Sequence, residues 1–164
     1  MKRTVVVSAF PCCGKTYAFE HYQNKYSMLD SDSSQFSWIK DENGNNTKVR
    51  NSNFPNNYIQ HIKDNIGKVD IIFVSSHEQV RKAMNEAGIH FCTVYPKESM
   101  LNEWVGRMYR RGNDSKFIQF IIDNWDDFMW EIKMGRYGSD LNFGFGLIRL
   151  GNNEYLDLDF LYNW

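Results

Sequence analysis

The sequence predicts a single α/β domain in which a mostly parallel sheet carries helices on both faces. Apolar runs of strand length alternate with helix-like segments along the 164 residues. Several of these runs are continuously apolar, as in parallel strands that are buried on both faces. With 42% hydrophobic residues, the chain is long enough for one well-buried core and too short for two ordinary ones. We therefore expect one domain over residues 1–164, with its site at the carboxyl ends of the strands.

Five apolar runs predict the strands of this sheet. The first is rich in β-branched residues, the second leads to two aspartates, and the third ends in three polar residues. Pro96 ends the fourth, and a Gly-Asn-Asn turn follows the fifth. The runs lie at residues 4–10, 26–32, 70–77, 89–96 and 145–150.

Five segments with apolar residues at helical spacing predict the helices between and after these strands. They lie at residues 16–26, 58–66, 78–88, 98–112 and 117–132. Residues 40–57 are rich in asparagine and contain Gly44 and Pro55, which favours a long excursion with turns over regular structure. The tail after residue 150 is expected to add a turn and an extended or short helical piece with an architectural role.

Charge and cysteine content exclude several classes of protein. The formal net charge of −1 gives no general attraction to nucleic acid or to a membrane surface. The three cysteines, Cys12, Cys13 and Cys92, have neither the number nor the spacing of a disulfide framework or a zinc knuckle. No segment approaches membrane-spanning length. We expect a cytoplasmic protein with no membrane partner, either a monomer or a small homo-oligomer.

The segment AFPCCGKT, residues 9–16, matches the phosphate-loop pattern G-x-x-x-x-G-K-[ST] except that Ala9 replaces the first glycine. In such a loop, N–H groups at the start of the following helix bind phosphate, and the helix dipole favours negative charge there. Lys15 would pair with the β- and γ-phosphates, and Thr16 would offer magnesium a hydroxyl ligand. Pro11 lacks an N–H but precedes the donor run and fixes its approach. The expected phosphate-binding residues are Pro11, Cys12, Cys13, Gly14, Lys15, Thr16 and Tyr17.

The alternative is an ordinary strand-to-helix turn in which Lys15 is simply solvated. The GKT sequence after an apolar run, together with the surrounding strand and helix alternation, favours the phosphate loop. A redox role for the adjacent thiols of Cys12 and Cys13 is a further alternative, because a helix N-terminus lowers a thiol pKa. Their backbone amides suffice to explain the two positions.

These motifs together resemble a known family. The loop SAFPCCGKT, the LDSD after the second strand and the SSH that ends the third make the chain similar to the small P-loop kinases of the nucleoside-monophosphate-kinase-like branch. It is similar in particular to short phage-encoded proteins described as nucleotide kinases. The resemblance implies a three-layer P-loop kinase fold with strand order 2-3-1-4-5 and a small lid. It also implies ATP and Mg²⁺ as cofactors, and the cytoplasm of an infected bacterial cell.

By the same resemblance, Asp32 is the acceptor-side carboxylate, with Asp30 second. A carboxylate there would orient an acceptor hydroxyl and take its proton, or organise magnesium if the acceptor is a phosphate. The local sequence equally favours a helix N-cap cluster, since Asp and Ser cap helices readily.

The third strand departs from the family pattern because it ends in Ser75, Ser76 and His77 rather than in an acidic residue. Asp70, at its other end, would be at the wrong edge of the sheet. We therefore expect Thr16, water and Asp30 or Asp32 around magnesium. His77 is a candidate contact to acceptor or phosphate, although a lone histidine at a strand end is more often structural.

Two further segments complete the expected site. Arg107, Arg110 and Arg111 fall at i, i+3 and i+4, so they are expected to share an exposed face of a lid region over residues 97–116. The bland alternative is a solvated basic face. An acceptor-binding excursion over residues 36–66 would bring Arg50 and Phe54 to the acceptor, unless it is an ordinary surface loop. The candidate substrate-binding residues are Asp30, Asp32, Arg50, Phe54, His77 and Arg110.

The sequence thus predicts an ATP- and Mg²⁺-dependent phosphotransferase for a nucleotide or nucleoside-like small molecule, with a (deoxy)nucleoside monophosphate as the expected acceptor. Lys15, Asp32, Arg107 and Arg111 are the expected catalytic residues. One alternative is a kinase for a hydroxyl on nucleic acid, which the absence of a basic stripe with interleaved aromatics disfavours. The other is a nucleotide-binding regulator without catalysis.

Overall fold

The computed structural model describes residues 1–135 and 146–163. Its strands are β1 (Val5–Ala9), β2 (Met28–Asp30), β3 (Trp38–Lys40), β4 (Asn46–Arg50), β5 (Ile71–Ser75), β6 (Cys92–Pro96) and β7 (Leu147–Leu150). Its α-helices are α1 (Lys15–Tyr22), α2 (Ser34–Ser37), α3 (Asn56–Asn65), α4 (Glu78–Glu86), α5 (Leu101–Arg111), α6 (Ser115–Asp123), α7 (Trp125–Gly135) and α8 (Leu158–Asn163). A 3₁₀ turn, Glu98–Met100, leads into α5.

Five of the strands form one parallel sheet in the order β2-β5-β1-β6-β7. Counted along the chain within this sheet, the order is 2-3-1-4-5, as the sequence predicts. The central strand β1 pairs with β5 from Val5 opposite Ile71 to Ala9 opposite Ser75. The loop after β1 and the polar end of β5 therefore meet at the same edge.

Helices cover both faces of this sheet because alternate side chains of each strand enter different cores. Val5 and Val7 belong to a cluster with residues of α1, α5, α6, α7 and α8, whereas Val6 belongs to a cluster with α3 and α4. Trp104 is fully buried in the first cluster and Tyr58 in the second. The α/β prediction with helices on both faces is confirmed.

The expectation of an irregular excursion over residues 40–57 is wrong for its first half. Strands β3 and β4 form an antiparallel hairpin, with Trp38 opposite Arg50 and Lys40 opposite Asn46. The polar residues between them make the turn rather than a long loop. One carboxylate oxygen of Asp41 accepts the N–H groups of Asn43 and Asn45, each at 2.9 Å.

The single helix predicted over residues 117–132 is two helices, α6 and α7, which meet at Asn124. The amide of Asn124 donates to the Phe120 carbonyl at 2.8 Å, a side-chain bond to the backbone of the kind that interrupts helices. Each helix keeps a buried stripe of its own, with Ile121 on α6 and Met129 on α7.

The tail contains the expected strand β7 and the short helix α8, although Phe145, at the predicted start of that strand, lies outside the described residues. Between these two elements the tail lies against the β1–α1 loop. The Leu156 N–H donates to the Cys13 carbonyl at 3.0 Å. None of the helices in the described ranges is long and apolar enough to cross a bilayer.

Candidate functional site

A cleft of about 960 Å³ opens at the carboxyl edge of the sheet. The loop after β1 and the start of α1 form its floor, and the ends of β2 and β5 lie beside it. Helices α5, α6 and α7 supply the opposite wall. This is the edge at which open parallel sheets bind ligands.

The loop from Ala9 to Gly14 is tightly turned. Phe10 donates its N–H to the Val94 carbonyl at 2.9 Å, which ties the loop to the sheet. Cys12 and Gly14 have positive φ angles of 64° and 103°, and glycine reaches the second conformation without strain. The thiol of Cys13 is buried, and this burial raises its pKa, which disfavours a reactive thiolate.

Three consecutive carbonyls of this loop are held from one side. The Pro11 carbonyl accepts from the Trp104 indole at 2.9 Å, and the Cys12 carbonyl accepts from the Arg107 guanidinium at 3.1 Å. The Cys13 carbonyl accepts the Leu156 N–H. Since the carbonyl and the next N–H of a trans peptide point in opposite directions, the N–H groups of Cys12 and Gly14 are directed away from α5 and the tail.

The start of α1 adds further donors to this set. The first intrahelical bond of α1 runs from the Ala18 N–H to the Gly14 carbonyl at 2.8 Å, so the amides of Lys15, Thr16 and Tyr17 precede it. No side chain of the described residues caps the helix at Gly14. The prediction that the Cys13 N–H binds phosphate needs correction, because this N–H donates within the loop to the Phe10 carbonyl at 3.2 Å.

Lys15 and Asp30 form an ion pair across the cleft floor, with Nζ 2.9 Å from Oδ1. Their side chains are 37% and 44% exposed. An ion pair this exposed contributes little free energy. The ammonium group of Lys15 can therefore exchange Asp30 for a more highly charged anion at small cost.

Asp32 also lines the cleft, at the end of β2. Its two carboxylate oxygens accept the Ser34 N–H at 2.9 Å and the Ser34 hydroxyl at 2.8 Å. The side chain thus makes the helix-start contacts that the sequence left open as an alternative. Each oxygen keeps a further lone pair that can accept a hydrogen bond from the hydroxyl group of a bound substrate.

The described residues of the cleft offer a magnesium ion some oxygen ligands but not a complete coordination shell. Within the described parts of the chain, no three His, Cys, Asp or Glu side chains are grouped to hold a metal. The Thr16 hydroxyl is exposed in the cleft, close in sequence to the pair of Lys15 and Asp30. Magnesium usually keeps several waters and takes one or two protein oxygens with substrate phosphates, so this donor set fits an ion that arrives with a polyphosphate.

The end of β5 brings Ser75, Ser76 and His77 to the cleft, as expected. The His77 N–H donates to the Ser75 hydroxyl at 3.3 Å. Loss of water around the ring lowers the pKa of His77, and the charges of Arg50 and Arg81 lower it further. The imidazole is therefore kept neutral at physiological pH.

Asp70 lies at the opposite end of β5, as the sequence predicts, and forms a structural site there. Its carboxylate contacts Lys2 Nζ at 2.9 Å and accepts the Ser27 hydroxyl at 2.7 Å and the Tyr162 hydroxyl at 3.1 Å. Burial alone would raise the pKa of Asp70, but these partners lower it well below its ordinary value.

The expectation that Arg107 lies on an exposed face is wrong. The residue is 5% exposed, and its guanidinium lies between two rings, 4.0 Å from the Trp104 centroid and 4.2 Å from that of Tyr155. It also donates to Glu103 at 2.9 Å and to the Glu154 carbonyl at 2.8 Å. Because Trp104 precedes it by three residues, Arg107 lies at the edge of the buried stripe of α5.

Arg110 and Arg111 are exposed and line the cleft, as the lid hypothesis requires of them. One guanidinium nitrogen of Arg111 lies 3.9 Å from the Cys12 sulfur. Arg111 is thus next to the loop, and both exposed arginines are open to a ligand in the cleft.

The structure places Arg50 and Phe54 outside the residues that line the cleft. The Arg50 guanidinium lies over the Trp38 ring, 4.3 Å from its centroid. Phe54 packs in the second core cluster and stacks on Tyr58 with centroids 6.1 Å apart. The excursion hypothesis expected both side chains at the acceptor, but neither of them lines the cleft.

Sequence reasoning missed the far wall of the cleft. The missed lining residues include Ser31, Glu78, Phe117, Phe120, Asp127, Phe128 and Glu131. Glu131 pairs through both carboxylate oxygens with Arg81, which is fully buried and also donates to the Ser76 carbonyl at 3.0 Å. A usable signal was the charge of Arg81 within the apolar spacing of α4, next to Val80 and three residues before Met84.

A scan against protein-family models finds no match, and a search of curated proteins finds none either. The site is therefore interpreted from its own geometry: a parallel α/β sheet, a glycine-lysine-threonine turn after its central strand, and a cleft at the carboxyl edge.

Proposed function

We propose that this protein is a P-loop kinase that uses ATP and Mg²⁺ to phosphorylate a nucleotide or nucleoside-like small molecule. The observation that supports this most directly is the loop after β1. Its carbonyls are held by α5 and the tail, so the N–H groups of Cys12 and Gly14 point the other way and join those at the start of α1.

These amides would bind the β- and γ-phosphates, with the positive end of the α1 dipole behind them. Lys15 would leave Asp30 for the phosphate oxygens, because a phosphate tail carries more charge than one exposed carboxylate. Arg110 and Arg111, on the exposed end of α5, line the same cleft beside the loop and would add positive charge to the phosphate site. Magnesium, when bound with ATP, supplies neutralisation of phosphate charge, and Thr16 with Asp30 or Asp32 would hold it.

Asp32 is the proposed acceptor-side carboxylate. It lies at the end of β2, two residues from the partner of Lys15, and therefore close to where the terminal phosphate would sit. Its bonds to Ser34 fix the orientation of the carboxylate. A carboxylate held in this way can orient an acceptor hydroxyl and take its proton.

A non-catalytic nucleotide-binding regulator is the second candidate. It is favoured by the end of β5, where Ser75 stands at the position at which the family carries an acid. The two candidates agree on nucleotide binding and differ only in transfer. Incubation with ATP, Mg²⁺ and a panel of nucleosides, nucleoside monophosphates and a short oligonucleotide with a free 5′ hydroxyl separates the two candidates from each other and from a nucleic-acid kinase.

The first test is ATP binding by Lys15→Ala. The variant should bind MgATP at least 10-fold more weakly in a calorimetric titration, because a charged hydrogen bond to phosphate is lost (on the order of 1.5–3 kcal/mol). Lys25→Ala is the matched control, since Lys25 also pairs with an exposed carboxylate, that of Asp159, but lies outside the cleft lining. Equal affinity in wild type and Lys15→Ala contradicts the proposal.

A further inference from the structure

The cleft has two halves of opposite charge. The first, the phosphate half, consists of the loop amides with Lys15, Arg107, Arg110 and Arg111, which are the lysine and arginine residues among its described lining. All four belong to α1 or α5, on either side of the loop. The second, the acceptor half, consists of the ends of β2 and β5, the start of α4 and the facing side of α7.

Carboxylates dominate the acceptor half. Its described lining includes Asp32, Glu78, Asp127 and Glu131 and contains no lysine or arginine. Arg81 lies behind this wall rather than in it, with its charge opposed by Glu131. Arg50 is likewise outside the lining and stacks on Trp38, although burial lowers the pKa of His77 at the edge of this half and the charges of Arg50 and Arg81 reach the imidazole and lower it further.

The three acids of α4 and α7, Glu78, Asp127 and Glu131, are close to one another. Burial raises the pKa of Glu131, and the neighbouring charge of Glu78 raises it further, although Arg81 opposes both effects. Asp127 precedes Glu131 by one turn of α7, so both side chains lie on the same face. A phosphomonoester dianion placed here would meet like charge on two sides.

Ser31 adds a buried, unpaired hydroxyl beside this half of the cleft. It is 3% exposed and lines the cleft, with its N–H bound to the Phe73 carbonyl at 2.9 Å and its carbonyl bound by the Tyr58 hydroxyl. Its hydroxyl has no hydrogen-bond partner among the described residues. A buried hydroxyl without a partner is costly unless a water or a ligand satisfies it, which makes Ser31 a candidate contact for the acceptor.

An apolar wall adjoins the acids. Phe120 and Phe128 meet edge to face with centroids 5.7 Å apart, and Phe128 contacts Phe10 at 6.2 Å. Phe120 is 54% exposed, which leaves part of its ring open to a ligand. Aromatic side chains beside carboxylates suit a flat apolar ring that carries amino groups.

We propose that the phosphoryl acceptor is an unphosphorylated alcohol with an amine-bearing aromatic ring, which is the chemistry of a nucleoside and not of a nucleoside monophosphate. This inference rests on the proposed kinase function. The acceptor oxygen forms a bond to the γ-phosphorus while the bond from that phosphorus to the β–γ bridging oxygen breaks, and ADP leaves. The hydroxyl proton passes to Asp32 and then to water, so that ATP and the alcohol give ADP, the phosphate ester and one proton.

The test compares matched acceptors in the presence of ATP and Mg²⁺. Adenosine, guanosine and cytidine should be phosphorylated, and each should have a lower KM than its own 5′-monophosphate. The same six compounds are titrated into the protein saturated with the non-hydrolysable analogue AMP-PNP, so that binding is read independently of turnover. If AMP-PNP itself fails to bind wild type, it is the kinase proposal that fails rather than this inference.

A pair of charge variants isolates the acidic wall. Glu78→Gln with Asp127→Asn should tighten AMP binding relative to adenosine about 3- to 10-fold, as expected for removing two nearby like charges in a partly solvated site. Glu86→Gln with Asp126→Asn is the control, because it removes the same charge from the same two helices outside the cleft lining. Any one of three results overturns the inference. These are a lower KM for the monophosphates in wild type, no binding by any of the three nucleosides, and an unchanged ratio of AMP to adenosine affinity in the first variant.

Discussion

At the scale of single residues, Gly14 has neither the backbone conformation nor the space for a side chain. Its φ of 103° belongs to the left-handed region that L-residues avoid. A Cβ at this position would lie 2.9 Å from a ring carbon of Tyr155 and 3.3 Å from the Leu156 nitrogen. The glycine of the loop is thus required both by its own backbone and by the tail packed against it.

Gly14→Ala should therefore lower stability by roughly 2–4 kcal/mol, since strain at positive φ adds to a steric clash with the Tyr155 side chain of the tail. It should also weaken MgATP binding, because the tail holds the Cys13 carbonyl. Gly88→Ala is the control, with a positive φ of 69° and open space around the added carbon. Chemical denaturation measures the stability of both variants. Equal losses of stability in Gly14→Ala and Gly88→Ala would show that the tail contact is unimportant.

A second prediction at this scale concerns Asp70. Since its folded-state pKa is lowered from 3.8, its contribution is fully present above that pH and is lost as the pH falls through the lower folded value. Asp70→Asn should cost on the order of 1–3 kcal/mol at pH 7. The difference from wild type should shrink below about pH 4. Denaturation at pH 7, 5, 4 and 3 measures it, and a difference that stays constant with pH contradicts the assigned ion pair.

At the scale of elements, α5 both supports the loop and supplies charge to the cleft, and two neighbouring arginines divide these tasks. Arg107 is buried and holds the Cys12 carbonyl, whereas Arg110 is exposed in the cleft. The sequence spacing placed both on one face and could not separate them. What decides is the tail, because Tyr155 and the Glu154 carbonyl enclose Arg107 from a position almost fifty residues further along the chain.

Arg107→Lys should destabilise the fold by about 2–4 kcal/mol, because an ammonium group cannot replace the planar fork between two rings. Arg110→Lys should leave stability within about 0.5 kcal/mol of wild type and still weaken MgATP binding, since a lysine reaches phosphate as a point charge. Thermal unfolding and calorimetric titration are compared for the two variants. A stable Arg107→Lys protein would contradict the structural role given to that residue.

At the scale of the whole molecule, the parts predictable from sequence are those that local patterns determine. Continuous apolar runs predicted the parallel strands, and Asp30 and Asp70 fell at opposite edges as expected. The charge of Arg81 within an apolar stripe signals a buried partner, but the local pattern cannot name Glu131, because the pair joins α4 to α7 across fifty residues. The helix break at Asn124 was missed because apolar residues continue at helical spacing across it, and the β3–β4 hairpin was missed because its polar residues make a short turn rather than a long loop.

In the cleft too, local sequence patterns predicted some features, whereas long-range packing determines the others. The glycine-lysine-threonine turn was readable because each residue has a local role in the loop. The acidic and aromatic wall could not be predicted from the sequence, because α6 and α7 reach the cleft only through the way in which they pack on the sheet.

The central claim is that main-chain amides after β1 bind a polyphosphate. Backbone amide NMR during a titration with MgATP tests it most directly. The account predicts that the amide protons of Cys12, Gly14, Lys15 and Thr16 shift strongly and saturate together, while that of Cys13, already bonded within the loop, shifts less. Saturable binding that leaves these four resonances unmoved, or no binding at all, would contradict it.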